Sequence, residues 1–305
     1  MPIALICIPT SFSRTSDYYP SPLNLLWAII PFSLIYTSRK LLIEDLFPKF
    51  GRKFIVMNPT WSKEVQDFRV QRFGIVSFKM IYFFISTMLG VVLFRNEDWM
   101  PSYLFGKGKQ DLSLIWENYP DQEQPPLITF YYCWELGYHF HSLVYHIQSE
   151  RRNDYFENLL HHVSTIFLVI FSFINNYVRI GTLVLILHDV GDFAMYTAKS
   201  LHDMPNDKPA MFAFVGIVYT FLRFRLVTLG GFIIPAAFQG RFCVPDHTAG
   251  AWTVYSLLTG LLCVLLILHT YWFYLVLQMI FGFFKSRGTF TDPHTIGVDS
   301  HTTVK

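Results

Sequence analysis

Charge is scarce in this chain. Lys, Arg, Asp and Glu make up 15% of its 305 residues, where soluble domains carry about 25%. A chain this poor in charge does not read as an ordinary soluble globule. The net charge of +2 says little about partners, because the basic residues are unevenly placed; no nucleic-acid partner is expected. Cysteine is sparse too. Cys7, Cys133, Cys243 and Cys263 show no metal or redox spacing, and two of them fall inside apolar runs, so no disulfide framework is expected. The N-terminus "MPIALICIPTSFSR" lacks a basic n-region and a clear cleavage site, so it does not read as a signal peptide. No usable N-x-S/T sequon occurs, Asn58 being followed by Pro59, and there is no internal repeat.

What is present is apolar. Hydrophobic residues make up 52% of the chain, with 31 Phe and 17 Tyr, a composition suited to a lipid-facing surface with interfacial anchors. A membrane span needs about 20 mostly apolar residues. Seven segments qualify, roughly 22–38, 73–94, 126–147, 158–175, 177–198, 209–230 and 251–284. The first is interrupted by Pro31 and is the weakest. The expected fold is therefore all-α: a polytopic membrane bundle of about seven helices (six to eight) around a lipid-binding cavity. A basic segment (39–72) and a polar Pro/Gly-rich stretch (95–125) separate the early spans. Residues 1–62 are expected to form an N-terminal span and basic loop, 63–287 the main bundle, and 288–305 a disordered tail.

Lys and Arg give the orientation. Segments 1–21, 95–125 and 231–250 hold 5 between them; segments 39–72, 148–157, 199–208 and 285–305 hold 15. Positive-inside logic then places the N-terminus in the lumen and the C-terminus in the cytosol. Lys79, Arg179, Arg223 and Arg225 lie within spans. The three arginines pair with carboxylates, bind lipid head groups or snorkel.

The segment "NLLHHVSTIFLVIFSFINNYVRIGTLVLILHDVGDFAMYTAKS" (158–200) is the informative one. It is mostly membrane span, yet it carries "HH" near one end and "HDVGD" near the other. Ionisable groups in hydrocarbon cost roughly 2.5–3.5 kcal/mol each on insertion scales, so function is the default reading. The two spans join at "INNYV". At 1.5 Å per residue, His161, Asp189 and Asp192 lie about 22, 20 and 24 Å from Asn176, at one level on antiparallel helices. His161, Thr165, Leu168 and Ser172 follow i, i+4, i+7, i+11 spacing and share a face. Glu135, His139, Ser142 and His146 repeat that pattern on the third span. Three polar stripes can therefore line one cavity, with His146 near the cluster. Glu135 is expected to pair with an arginine or hydrogen-bond a neighbour. His139, His141 and His269 read as interhelical hydrogen-bonding residues.

Imidazole beside carboxylate in a low-dielectric site suits acyl transfer or proton abstraction. No nucleophilic Ser elbow or activated Cys competes. A metal site is the rival reading, but "HFHSLVYH" and "NLLHH" match the His boxes of membrane di-iron enzymes only loosely.

At these residues a family becomes recognisable. "RRNDYFENLLHHVSTIFLVIFSFINNYVRIGTLVLILHDVGDFAMYTAKS" resembles the Lag motif of ceramide synthases, within the TLC domain. The matching elements are Asn153–Asp154, His161–His162, "NNYVRIGTLVL", "HDVGD" at 188–192, and Lys199. "YYCWELGYHFHSL" (131–143) and "VQDFRVQRFGIVSFKMIYF" (65–83) resemble upstream parts of that domain, and the likeness covers roughly 63–287. No homeobox-like insert is present. The resemblance implies transfer of a fatty acyl group from acyl-CoA to the amine of a sphingoid base, in the endoplasmic reticulum membrane. Acyl-CoA is then a co-substrate, with no cofactor or metal expected, and membrane lipids and homo- or hetero-oligomers are the other partners. The implied catalytic residues are His161, His162, Asp189 and Asp192, the carboxylates orienting and charge-balancing the imidazoles. His146, His188, Tyr196, Lys199, Arg179 and Ser172 are expected around the substrates. Two routes stay open: His161 as nucleophile through an acyl-imidazole, or His161 or His162 as base in a single step. A non-catalytic TLC-type lipid carrier or translocon-associated protein is the alternative. Residues 238–250 are expected to close the far end of the acyl tunnel.

Overall fold

The computed structural model of the protein describes residues 20–55, 62–149, 154–202, 207–244 and 249–285. The expected tail, 288–305, lies outside the described residues. Among these residues no strand forms, and one isolated bridge links Pro101 to Gly108. Seven long helices make up a polytopic all-α bundle: α1 (Pro22–Phe54), α2 (Lys63–Phe94), α3 (Ile128–Gln148), α4 (Tyr155–Ile174), α5 (Val178–Leu201), α6 from Asp207 through Gln239, and α7 (Ala249–Lys285).

Two helices are longer than the hydrophobic pattern predicts. α1 runs 33 residues, well past the expected 22–38, and α2 begins ten residues before the expected 73. The extra turns carry Arg39, Lys40, Lys49, Arg52 and Lys53 on one side and Lys63, Arg69 and Arg72 on the other. Basic residues end an apolar run, but Lys and Arg are good helix formers, so the helices continue beyond the hydrocarbon. Ser62 caps α2 by accepting from the Val65 N–H at 3.4 Å, and Arg52 pairs with Asp67 at 2.7 Å. Pro31 does not break α1. The helix starts as a 3-10 turn over Pro22–Ala28, before the position where the missing N–H matters. There α1 presses on Gly137 of α3, where a Cβ would stand 2.8 Å from the Phe32 nitrogen.

α6 has a π-helical middle, Phe221–Ile233, a geometry common at functional sites. Five helical segments are long and apolar enough to cross a membrane. α3 and α5 fall short of that standard because they carry the polar stripes; α5 is interior, while α3 turns Phe130 and Ile147 outward. α5 packs along α2 and α6, α3 against α1 and α4, and α4 against α7. Large apolar side chains such as Phe212, Val215, Ile267 and Phe281 point outward on α6 and α7, as a lipid-facing surface requires.

The stretch 95–125 is more ordered than its Pro/Gly content suggests. Trp99, Met100, Leu104, Ile115, Trp116 and Tyr119 are all buried. It packs on the α4–α5 turn, where Asn176 adopts a left-handed φ of 58°. The Asn176 side chain donates to Pro120 O at 2.9 Å and accepts from Gln124. Cys133 and Cys263, the two in apolar runs, are free thiols. Cys243, buried just beyond α6, is disulfide-bonded; with two of the four cysteines free, this is one bridge and not a framework.

Candidate active site

The polar stripes face one elongated cavity. From α4 it is lined by His161, Thr165, Leu168, Val169 and Ser172, and from α5 by Ile180, Gly181, Val184, Leu185, His188, Asp189 and Asp192. α3 adds His139, and α7 adds Tyr255, Leu258, Thr259, Leu262 and Leu265. Its volume is about 70 Å³, below the roughly 300–1,000 Å³ of open small-molecule sites, so it is a narrow bore. His161 to Ser172 and Ile180 to Asp192 span roughly 16–18 Å of helix. The matched depths of His161, Asp189 and Asp192 thus translate into one shared wall.

The cavity is polar at one end and apolar along its length. At the polar end, His161 lies 6.5 Å from His188, ring centre to ring centre, and its edge faces Trp272 at 5.5 Å. His161 Nδ1 has no hydrogen-bond partner. His188 Nδ1 sits 2.6 Å from Val184 O, one turn earlier. A carbonyl only accepts, so Nδ1 carries the proton and, in the neutral ring, Nε2 carries the lone pair.

Asp189 is 2% exposed, and its Oδ2 has no partner. Behind it lies Glu135, fully buried, to which Ser86 donates and from which Tyr82 OH lies 3.5 Å away. Glu135 and Asp189 are close enough to interact electrostatically. His139 stands 4.0 Å from Glu135. Glu135 therefore bonds neighbours, one of the two expected roles.

Asp192 lines the cavity beside these groups. Its Oδ1 pairs with Arg225 of α6 at 2.7 Å, so a guanidinium, rather than an imidazole, balances its charge. Arg225 is 4% exposed, and it also donates to the His188 carbonyl at 3.2 Å. Gly191 makes room for it; a Cβ there would be 2.7 Å from Arg225 Nε. The π-helical middle of α6 carries this arginine into the bundle. Of the three arginines noted in the spans, this one pairs with a carboxylate.

Other expected residues stand apart from the cavity lining. His162 turns from His161 toward His146, with ring centres 5.3 Å apart. His146 stacks on Tyr155 at 4.5 Å and contacts the Tyr155 carbonyl at 3.0 Å. Tyr196 stacks on Phe83 at 5.6 Å and accepts from Lys79 at 3.2 Å. Lys199 lies over the Tyr196 ring at 5.5 Å. These four form a shell on the basic side of the bundle. Arg179 is far away, at the opposite end, where it donates to Leu114 O at 2.8 Å and holds the 95–125 segment. Ser172 lines the cavity and contacts Tyr132 OH at 3.3 Å.

The far end is closed by Trp116, Tyr177, Ala237 and Tyr255. Trp116 Nε1 donates to Ala236 O at 2.7 Å, and its ring meets Tyr177 edge-on at 5.7 Å. The expected closure by 238–250 is indirect in its described part. Gly240 backs Trp116 so closely that a Cβ would lie 2.4 Å from the indole. Trp116 had no signal in the sequence, since a loop offers no periodicity. His269 also gained significance: it continues the α7 stripe Leu258, Leu262, Leu265 with i, i+4, i+7, i+11 spacing.

Comparison with known proteins identifies the family. The TLC domain model matches residues 72–278. Human ceramide synthase 4 is 26% identical over 215 residues, 70% of this chain and 51% of that protein. The tomato Alternaria stem canker resistance protein 1 is 30% identical over 249 residues, 80% of this chain and 78% of that protein. Arabidopsis ceramide synthase LOH2 is 29% identical over 212 residues, 69% of each. The chain spans about half the length of the human relative. With more than half of its residues matched by the domain model, the chain belongs to the TLC domain family and, within it, is similar to ceramide synthases.

Proposed function

We propose that this protein transfers a fatty acyl group from acyl-CoA to the amine of a sphingoid base, with His161 as the reacting imidazole. The observation that carries this reading is a single cavity with His161, His188 and Asp189 at one end and an apolar bore beyond them. Carbon–carbon bonds of about 1.52 Å at ~111° advance ~1.25 Å each. A bore of about 16–18 Å therefore suits an extended acyl chain of roughly fourteen carbons. The thioester then sits at the polar end and the chain runs toward Trp116.

In this reading the neutral ring of His161 attacks the thioester carbon. The C–S bond breaks, and CoA leaves as a thiolate that takes up a proton. The free amine attacks the acyl-imidazole carbon. The bond to the ring breaks, its electron pair returns to His161, and the amine gives up a proton. Asp189 Oδ2, unpartnered and facing the cavity, is suited to receive that proton. Burial strengthens each of these electrostatic interactions. Arg225 and Asp192 hold α6 on α5 beside the His188 carbonyl, keeping the wall fixed.

Charge counting favours a cytosolic C-terminus, which puts the His161 end toward the CoA pool. The disulfide at Cys243 supports the same orientation, because disulfides persist on the oxidising side of the membrane. His146, His162, Tyr196 and Lys199 then surround the cytosolic mouth, near the CoA phosphates. Such a protein works in the endoplasmic reticulum membrane. The test is incubation of purified protein with a sphingoid base and acyl-CoAs of graded length. N-acylated bases, read by mass, are expected; binding of lipid without product would favour the carrier alternative.

A further inference from the structure

His269 lies on α7, 0% exposed, one turn beyond the cavity-lining Leu265. Neither of its ring nitrogens has a partner. A neutral imidazole offers one donor and one acceptor, and leaving both unmet in a buried site is costly. Its ring centre is 4.9 Å from His188 and 6.2 Å from His161. Phe221 stands edge-on at 5.9 Å and Trp272 lies at 5.8 Å. His188 Nε2 is also without a partner. Because Nδ1 of that ring is committed to Val184 O, Nε2 can only accept. Three helices thus bring three imidazoles together with four unmet nitrogens: Nδ1 of His161, Nε2 of His188, and both of His269.

The chemistry of a matching ligand follows. A thioester or acyl chain has no donor, so it cannot satisfy His188 Nε2. An amine or hydroxyl can, and His269 can both donate to and accept from a neighbouring hydroxyl. We propose that His269 and His188 form the subsite for the amino-alcohol head of the acyl-accepting base, placing its amine beside the carbon held at His161. This inference rests on the acyltransfer reading above. It makes His269 a substrate-binding residue of the second substrate, contributed by the last span.

The test uses purified full-length protein with wild type, His269→Ala and His269→Gln, each checked for folding by thermal unfolding. The readouts are KM for the sphingoid base, KM for acyl-CoA, and product rate. The expected result for His269→Ala is a KM for the base raised about tenfold or more, with KM for acyl-CoA within twofold of wild type. Gln keeps a donor and an acceptor, so His269→Gln should recover much of the loss. A simple long-chain amine without hydroxyls should narrow the gap between wild type and His269→Ala. An unchanged KM for the base, or equal changes in both KM values, overturns the subsite. If Ala does not fold, His269→Leu with the two acceptors decides by the same criterion. If wild type acylates no base, the acyltransfer reading fails instead. Binding of sphingosine to wild type and His269→Ala then still reads the subsite: equal affinity rejects it, and weaker binding by the variant sustains it.

Discussion

The two ends of the cavity are built on opposite principles. At the His161 end, buried polar groups outnumber their partners: nitrogens of His161, His188 and His269 and an oxygen of Asp189 are unmet. At the Trp116 end, the polar atoms of two closing rings are satisfied: the indole N–H donates to Ala236 O and Tyr255 OH donates to Ala237 O at 2.9 Å. A finished set of hydrogen bonds makes a stop. An unfinished set makes a site, because a ligand can complete it. The difference teaches where chemistry belongs in this bundle without any bound molecule.

Changes at the polar end should be large and chemical. Asp189→Asn keeps the shape but removes the carboxylate facing the cavity. Product formation should fall by about two to four orders of magnitude, the usual scale of acid–base assistance, with thermal unfolding little changed. A rate assay on folded protein checks this, and near-normal turnover would contradict the role. Arg225→Met should act mainly through structure. It strands Asp192, and losing one partner of a buried pair costs roughly 3–5 kcal/mol, with the lower figure apt because Asp192 keeps some solvent access. The expected fall in unfolding temperature is about 5–10 °C. Adding Asp192→Leu should restore much of it, which a double-mutant cycle measures.

Changes at the aromatic end should alter length, not chemistry. Trp116→Ala opens the floor, so product chains should lengthen by about two to four carbons at ~1.25 Å each, with total turnover within about threefold. An unchanged length profile in active protein would move the stop to Tyr177 or Tyr255.

Much of the site was legible because it depends on constants of the helix. The turn at Asn176 is visible in the sequence, and a fixed rise per residue places His161, Asp189 and Asp192 at one depth. The stripe His161–Thr165–Leu168–Ser172 needs only the helical period. Arg225 was less legible, since its choice of Asp192 depends on how the π-helical stretch rotates α6 against α5. His269 looked like a lone histidine on an apolar helix; only the packing of α7 beside α4 shows its unmet nitrogens. Trp116 lies in a segment without periodicity, held by tertiary contacts to Ala236 and Gly240. The fold followed hydropathy well in the spans. It departed at the ends of α1 and α2, where charge marks the membrane boundary but not the helix boundary.

The most direct test is the rate of N-acylated sphingoid base formed by purified wild type and His161→Ala, with folding of both verified by thermal unfolding. The account predicts product from wild type and a loss of at least about a hundredfold in the folded variant. Product from His161→Ala at a rate near that of wild type would contradict it.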